Sequence, residues 1–331
     1  MTWTALSTTP QPPSTPWPGR GLRALRAVVV ASCVPYLALK IAWIAGSRIG
    51  IPDGSVLLEH RGPMAVANSV TVVMDSAVIV LALLLTQGWG RRVPAWLLAV
   101  PMWAAGGLLL PIMVGFPVTL LVRAATGAGP TDSANEPFLD EWVFGVVYTG
   151  FIVQGLSLGA LFVLYARERW GHLWRGRLAD APDAGRLLKA GAVAGAVLAL
   201  FPAVMRLLWA SGATTGLATS QVDRRTADFY VLEAVSAAYV AVAVAGMLML
   251  AFGLGGGVGR SLPVAVPICM AWLGSGAVGC WGVWLLIAAV LPGGEGAEGP
   301  TGLMVLTYAV GMIVGLLVVT GTSSFLRRRG A

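Results

Sequence analysis

The chain has 331 residues, of which 57% are hydrophobic and only 11% are charged, and its formal net charge is +7. A soluble core of this size needs far less apolar surface, so the composition predicts an integral membrane protein and excludes an ordinary soluble domain. The basic residues are grouped in the connections between apolar segments, which indicates membrane topology rather than a nucleic-acid surface.

Residues 1–21 are rich in Pro, Ser and Thr, a composition that predicts a disordered tail because it cannot bury a core. Eight apolar spans follow, each near the roughly 20 residues needed to cross the hydrocarbon of a bilayer. They are predicted at 25–46, 65–88, 94–116, 142–165, 189–211, 229–253, 262–290 and 302–325. The predicted fold class is therefore an all-α membrane protein with eight transmembrane helices.

A four-residue motif at the end of the first span recurs at the end of the fifth. Lys40, Trp43, Gly46 and Gly50 are followed, 166 positions later, by Arg206, Trp209, Gly212 and Gly216. At 100° per residue each set falls on one stripe of a helix. This recurrence predicts two four-helix halves, 22–170 and 189–331, joined by a cytoplasmic linker at 171–188.

Further matches extend this repeat. The segment with Gly90, Arg91, Pro94 and Trp103 returns 169 positions later as Gly259, Arg260, Pro263 and Trp272. The fourth and eighth spans match at an offset of 160 through Tyr148 and Tyr308, Gly155 and Gly315, Arg167 and Arg327, and Arg169 and Arg329. Since four helices return the chain to its starting side, the halves are predicted to be parallel repeats. The alternative is that Gly and Trp recur by chance in an apolar chain.

A first span ending in Lys-x-x-Trp-x-x-Gly-x-x-x-Gly, here Lys40 to Gly50, resembles a group of actinobacterial multi-pass membrane proteins. The resemblance is strongest over the first four spans. It implies a multi-pass membrane fold, and it assigns no activity and no functional residues.

The connecting segments predict orientation, because cytoplasmic connections collect Arg and Lys. With the N-terminus inside, the inner segments hold most of the basic residues: Arg20, Arg23, Arg26, Arg91, Arg92, Arg167, Arg169, Arg175, Arg177, Arg186, Lys189, Arg260, Arg327, Arg328 and Arg329. The outer segments hold most of the carboxylates. We therefore expect a cell-membrane protein with both termini cytoplasmic and with the bilayer as its first partner.

Four ionisable residues fall inside spans: Lys40, Asp75, Arg206 and Glu233. Each is costly if it faces lipid, so each should face the bundle and find a partner. From the rise per residue, Lys40 lies roughly 9 Å and Asp75 roughly 16 Å below the outer ends of their helices, a difference that a Lys side chain can bridge. The sequence thus predicts a pair between Lys40 and Asp75 and an equivalent pair between Arg206 and Glu233. Asn68 lies on the same face as Asp75.

Other interpretations of these residues stay open. Lys40 and Arg206 could instead extend to the outer headgroups, with the neighbouring Trp as an interface anchor. Asp75 is too short to reach water and is either a structural ion-pair partner or a site linked to a proton or ligand. Glu233, nearer the outer end, is favoured as a structural partner.

The two histidines, His60 and His172, fall on opposite sides of the predicted membrane, so they cannot form a joint haem, zinc or hydrolytic site. We expect no catalytic residues, no cofactor and no metal, and the sequence does not favour an enzyme. Two functions compete. One is a non-catalytic membrane partner or scaffold; the other is a transporter or permease-like protein for a small molecule or ion. A water-accessible cavity reaching Asp75 would favour transport, and a dry, fully paired Asp75 would favour the scaffold.

Overall fold

The structure is a computed structural model that describes residues 19–53, 55, 58, 61–127, 139–181, 183–223, 225–253, 261–290 and 299–330. Eight of its helices are long and apolar enough to cross a membrane. The predicted class, an all-helical multi-pass membrane protein, is therefore confirmed. Most of the predicted tail, together with Gly259 and Arg260 of the repeat, lies outside the described residues.

The long helices are numbered α1 to α8 in chain order. Their bounds are α1 Arg20–Ile44, α2 Arg61–Thr86, α3 Ala95–Thr126, α4 Glu141–Trp170, α5 Gly185–Ala210, α6 Ala227–Phe252, α7 Ala265–Val290 and α8 Gly302–Gly330. Several helices extend beyond the predicted spans, most of all α3, which continues ten residues past its predicted end at 116. The added residues of α3 are mostly apolar up to Val122, so its apolar segment is longer than the predicted span.

The start of α5 shows how a charged residue begins such an extension. Asp183 accepts a hydrogen bond from the backbone N–H of Gly185 and another, of 2.6 Å, from Lys189 Nζ. The hydrogen bond from Lys189, followed by the one from Gly185, lowers the pKa of the Asp183 carboxyl. A carboxylate at a helix N-terminus satisfies amides that have no partner within the helix. For this reason α5 begins four residues before its predicted span.

The helices within each half pack in the same pairs. In the first half these are α1–α2, α1–α4, α2–α3, α2–α4 and α3–α4, and in the second they are α5–α6, α5–α8, α6–α7, α6–α8 and α7–α8. The halves meet where α3 packs against α6 and α7. Large hydrophobic side chains remain exposed along the helices, among them Val73, Leu121 and Leu200. Such a surface suits contact with lipid, not water.

The two motif turns share their local hydrogen bonds. Trp43 Nε1 donates to the Ile49 carbonyl at 2.8 Å, and Trp209 Nε1 donates to the Thr215 carbonyl at 2.9 Å. Each indole thereby fastens the chain that leaves its helix back onto the last helical turn. The acceptors, like the Trp residues, are 166 positions apart.

The glycines of the two turns also share their backbone conformation. Gly46 and Gly212 have φ angles of 91° and 96°, and Gly50 and Gly216 both have φ of 72°. Residues with a side chain rarely adopt positive φ, so the turn requires glycine at these positions. The sequence motif thus encodes a structural unit: a helix end, an indole clasp and two left-handed glycines.

Candidate functional site

A cavity of about 880 Å³ lies between the two halves. It is walled by α3 and α4 from the first half and by α5, α6, α7 and α8 from the second. Its lining is largely apolar and aromatic, including Phe116, Tyr148, Trp281 and Tyr308. Small-molecule sites occupy about 300–1,000 Å³ and have mostly apolar walls with a few polar groups. The cavity is therefore large enough for a small organic ligand.

The innermost charges of this cavity are Arg206 and Glu233. Arg206 Nη1 lies 2.8 Å from both carboxylate oxygens of Glu233, and the two side chains are only 15% and 12% exposed. The guanidinium also packs over the rings of Trp209 and Tyr308. The predicted pair between Arg206 and Glu233 is thus present. Its aromatic surroundings hold the guanidinium inside the bundle.

A second ion pair lines the cavity at the ends of α3 and α6. Arg123 Nε donates to Asp228 at 2.9 Å, and the Arg123 Nη2 atom contacts the other carboxylate oxygen. Both residues lie outside the predicted spans, and their contact was not predicted. These two residues, 105 positions apart, carry no shared pattern, so only the packing of α3 against α6 could reveal the pair. It joins the first half to the second.

Lys40 does not pair with Asp75, and this prediction is wrong. Lys40 Nζ donates instead to Asn68 Oδ1 at 2.8 Å and packs against the rings of Tyr36 and Trp43. The reason is distance along α2, because Asn68 lies two helical turns, about 10 Å, closer to the predicted outer end than Asp75 does. Lys40 therefore finds a neutral partner inside the bundle.

Asp75 is buried near the middle of α2, with 4% of its surface exposed. Its Oδ1 atom accepts a hydrogen bond of 2.8 Å from Nε2 of Gln154, which lies on α4 and is 1% exposed. No ion pair joins Asp75 to any residue in the part of the chain that the structure describes. A carboxyl group thus meets a neutral amide in the core of the first half.

Three buried polar atoms in this region have no hydrogen-bond partner among the described residues. They are Asp75 Oδ2, Gln154 Oε1 and Asn68 Nδ2. Buried polar groups are normally satisfied, so each such atom requires an explanation. Neither Asp75, Gln154, Asn68 nor Lys40 lines the cavity. The cavity thus does not reach Asp75, as transport was expected to require, and Asp75 is not fully paired, as the scaffold was expected to require. The five predicted site residues therefore separate into two places: Arg206 and Glu233 at the cavity, and Lys40, Asn68 and Asp75 in the first half.

The burial pattern along α2 recurs along α6 at an offset of 165. Asp75, Val78, Leu81, Ala82, Leu85 and Thr86 are buried, and so are Val240, Ala243, Gly246, Met247, Leu250 and Ala251. The same offset places Glu233 at the position of Asn68, and these are the two residues that hold the motif cations. By this correspondence Asp75 matches Val240, and the offset of 160 matches Gln154 with Val314. Both valines are buried in one apolar cluster.

Among the described residues, no three His, Cys, Asp or Glu side chains are grouped closely enough to hold a metal ion. Comparisons with protein-family models, with curated proteins and with solved structures each give no match to this chain. Its function is therefore argued from its own geometry.

Proposed function

We propose that this multi-pass membrane protein is permease-like and binds a small molecule in the cavity between its halves. The observation that carries the proposal is the cavity of about 880 Å³ around the buried Arg206–Glu233 pair. Desolvated charges in a membrane protein are costly, and they usually mark substrate or ion pathways. A cavity at the interface of two repeats is also where transporters bind their substrates.

The chemistry of the walls suggests the kind of ligand. Arg206 and Glu233 supply both signs of charge at the inner part of the cavity, and Arg123 and Asp228 supply both again at the helix ends. Phe116 and Trp281 add apolar contact. A ligand with an apolar body and little net charge, such as a zwitterion, can exchange partners with these pairs without leaving a charge unpaired.

The proposal includes two parallel repeats related by an axis along the membrane normal. Gly107 of α3 and Gly276 of α7 support it, because they are equivalent at the offset of 169 and contact each other. A residue that touches its own equivalent lies on a two-fold axis, as in a symmetric dimer. The matching helix pairs of the two halves support the same arrangement.

The proposal also places the N-terminus and C-terminus in the cytoplasm of a cell whose plasma membrane holds the protein. The distribution of basic residues supports this orientation. In it, the end of the cavity lined by Arg123, Glu141 and Asp228 faces outward. Ligands would then enter from the outer side.

The scaffold remains the second candidate function, and one observation favours it. Both ion pairs at the cavity join two helices, α5 to α6 and α3 to α6, so they also hold the bundle together. If the protein is a scaffold, the cavity needs no ligand and is filled by lipid. Access of water and ligands to the cavity therefore distinguishes the two functions.

Thiol labelling tests access and orientation together. In a variant whose Cys33, Cys269 and Cys280 are replaced by Ala, Ser236→Cys places a thiol on the cavity wall. We expect a membrane-impermeant maleimide to modify it from the outside only. Ser157→Cys, buried in α4, is the matched control and should not react.

Ser133→Cys should react from outside and Asp180→Cys from inside; the reverse would overturn the orientation.

Protection from labelling tests ligand binding. Zwitterionic, cationic and anionic small molecules are each added before the maleimide, and a molecule that occupies the cavity should slow modification of Ser236→Cys severalfold. The protection should disappear when Arg206→Met and Glu233→Leu are combined with the reporter thiol. A thiol at position 236 that stays unreactive from both sides would contradict the permease and favour the scaffold.

A further inference from the structure

The polar contact between Asp75 and Gln154 is incomplete. Gln154 Nε2 donates to Asp75 Oδ1 at 2.8 Å, while Asp75 Oδ2 and Gln154 Oε1 are buried without a partner. Both unpartnered atoms are oxygens, and an ionised carboxylate and an amide oxygen can only accept hydrogen bonds. The Cys33 thiol lies beside Asp75, but it donates to the Val29 carbonyl at 3.2 Å, so what the two oxygens lack is a donor or a cation.

An ionised Asp75 does not fit these surroundings. A buried carboxylate without a cation is strongly destabilised and takes up a proton instead. The side chains that face Asp75 from α1 are Cys33 and Tyr36. Lys40 on α1 donates to Asn68, and Tyr148 on α4 lies near Tyr36. Helix α3 contributes only Arg123, which is paired with Asp228.

We propose that Asp75 is a proton-binding site, with the proton on Oδ2 donated to Gln154 Oε1. A carboxylic acid and a primary amide can then form a cyclic pair of two hydrogen bonds. The existing bond runs from Gln154 to Asp75, and the new one runs back. The proton comes from water, and no electrons are transferred. A single proton thus gives both unpartnered oxygens a hydrogen-bond partner.

The second half shows that packing does not require this pair. Its equivalent positions hold Val240 and Val314, which are 4% and 0% exposed in an apolar core. Replacing buried polar partners by apolar residues of similar shape is often neutral or stabilising. The first half therefore retains a carboxyl group that the shared fold does not need, and reversible protonation is the function that such a group can perform.

Polar side chains connect this site towards the predicted outer end. Asn68, Thr71 and Asp75 lie at helical spacing on one face of α2, and Lys40 caps the row at Asn68. Asn68 Nδ2 is a buried donor without a partner, on the same row. The proton site shares no lining residue with the cavity, so it stands independently of the proposed ligand site.

Infrared difference spectroscopy on the full-length protein in lipid at neutral pH tests the proposal. Subtracting the Asp75→Asn spectrum from that of the wild type should leave a protonated carboxyl band that shifts in D₂O. Glu233→Gln is the matched control from the second half. Because Glu233 faces Arg206, its difference spectrum should contain carboxylate bands and no such acid band.

A second variant keeps the test valid if Asp75→Asn does not fold. Asp75→Val combined with Gln154→Val reproduces the second half and should also lose the acid band while it retains the melting temperature. Carboxylate bands assigned to Asp75 at neutral pH would overturn the proposal. So would an acid band that sodium, but not choline, converts into carboxylate bands, since this would identify a cation site.

Discussion

The two halves of the molecule give the same motif cation different partners. Lys40 in the first half bonds the neutral amide of Asn68, whereas Arg206 in the second half bonds the carboxylate of Glu233. The two acceptors occupy corresponding positions on α2 and α6. Both halves therefore place a cation at the motif position, but its partner differs between them.

The intramembrane acids of the two halves, Asp75 and Glu233, differ in their surroundings. Glu233 is paired and lines the cavity, while Asp75 is unpaired and enclosed by the first-half core. Their positions differ as well, because the offset of 165 matches Glu233 with Asn68 and Asp75 with Val240.

The largest expected effect comes from removing a single member of the charged pair. Arg206→Met leaves Glu233 buried without a cation and should cost about 3–5 kcal/mol of unfolding free energy, which Glu233→Leu should largely restore. Lys40→Met leaves only a neutral amide and should cost less, about 1.5–3 kcal/mol. Chemical or thermal unfolding in one detergent measures all three variants.

The partner of Lys40 is tested by the same measurement. Asn68→Leu should recover most of the loss caused by Lys40→Met, because the structure pairs these two side chains. Asp75→Leu is the control and should recover none of it. If Asp75→Leu rescues stability instead, Lys40 pairs with Asp75 as the sequence predicted. Both halves would then pair their motif cation with an acid.

The fold was predictable where a pattern acts over short range. Composition predicted the eight helices, and the recurring motif predicted two similar helix ends, which share a hydrogen bond at Trp43 and Trp209. The predicted helical stripe through Gly46 and Gly50 is wrong, because α1 ends at Ile44 and both glycines lie in the turn that follows. Because a charge that faces lipid is costly, the sequence also predicted partners for the intramembrane charges. The predicted pair of Arg206 with Glu233 is present.

The site was less predictable, because contacts between helices depend on rotation and offset. Depth alone could not distinguish Asn68 from Asp75 as the partner of Lys40, since both lie on one face of α2. The contact between Gln154 and Asp75 likewise depends on how α4 packs against α2. The Arg123–Asp228 pair required the packing of α3 against α6, for which the sequence contains no signal.

The last comparison concerns the motif glycines, which test whether the two turns are equivalent. A Cβ at Gly50 would overlap the Val143 side chain, and a Cβ at Gly216 would overlap Leu303, while both positions also have positive φ. Val143 and Leu303 are themselves 160 positions apart, the offset that relates α4 to α8. Alanine at either glycine should combine backbone strain of about 1–2 kcal/mol with overpacking of about 1–3 kcal/mol.

Gly46 and Gly212 are the matched controls, because a Cβ at either would meet no atom within 4 Å. Their alanine variants should show the backbone strain alone, about 1–2 kcal/mol. Measured by unfolding, the four variants should therefore group by position in the motif, with Gly50 and Gly216 more sensitive than Gly46 and Gly212. If they group by half instead, the two turns differ in their packing despite their shared hydrogen bonds. The offsets that match Asp75 with Val240 would then lose their support, because they rest on the same duplication.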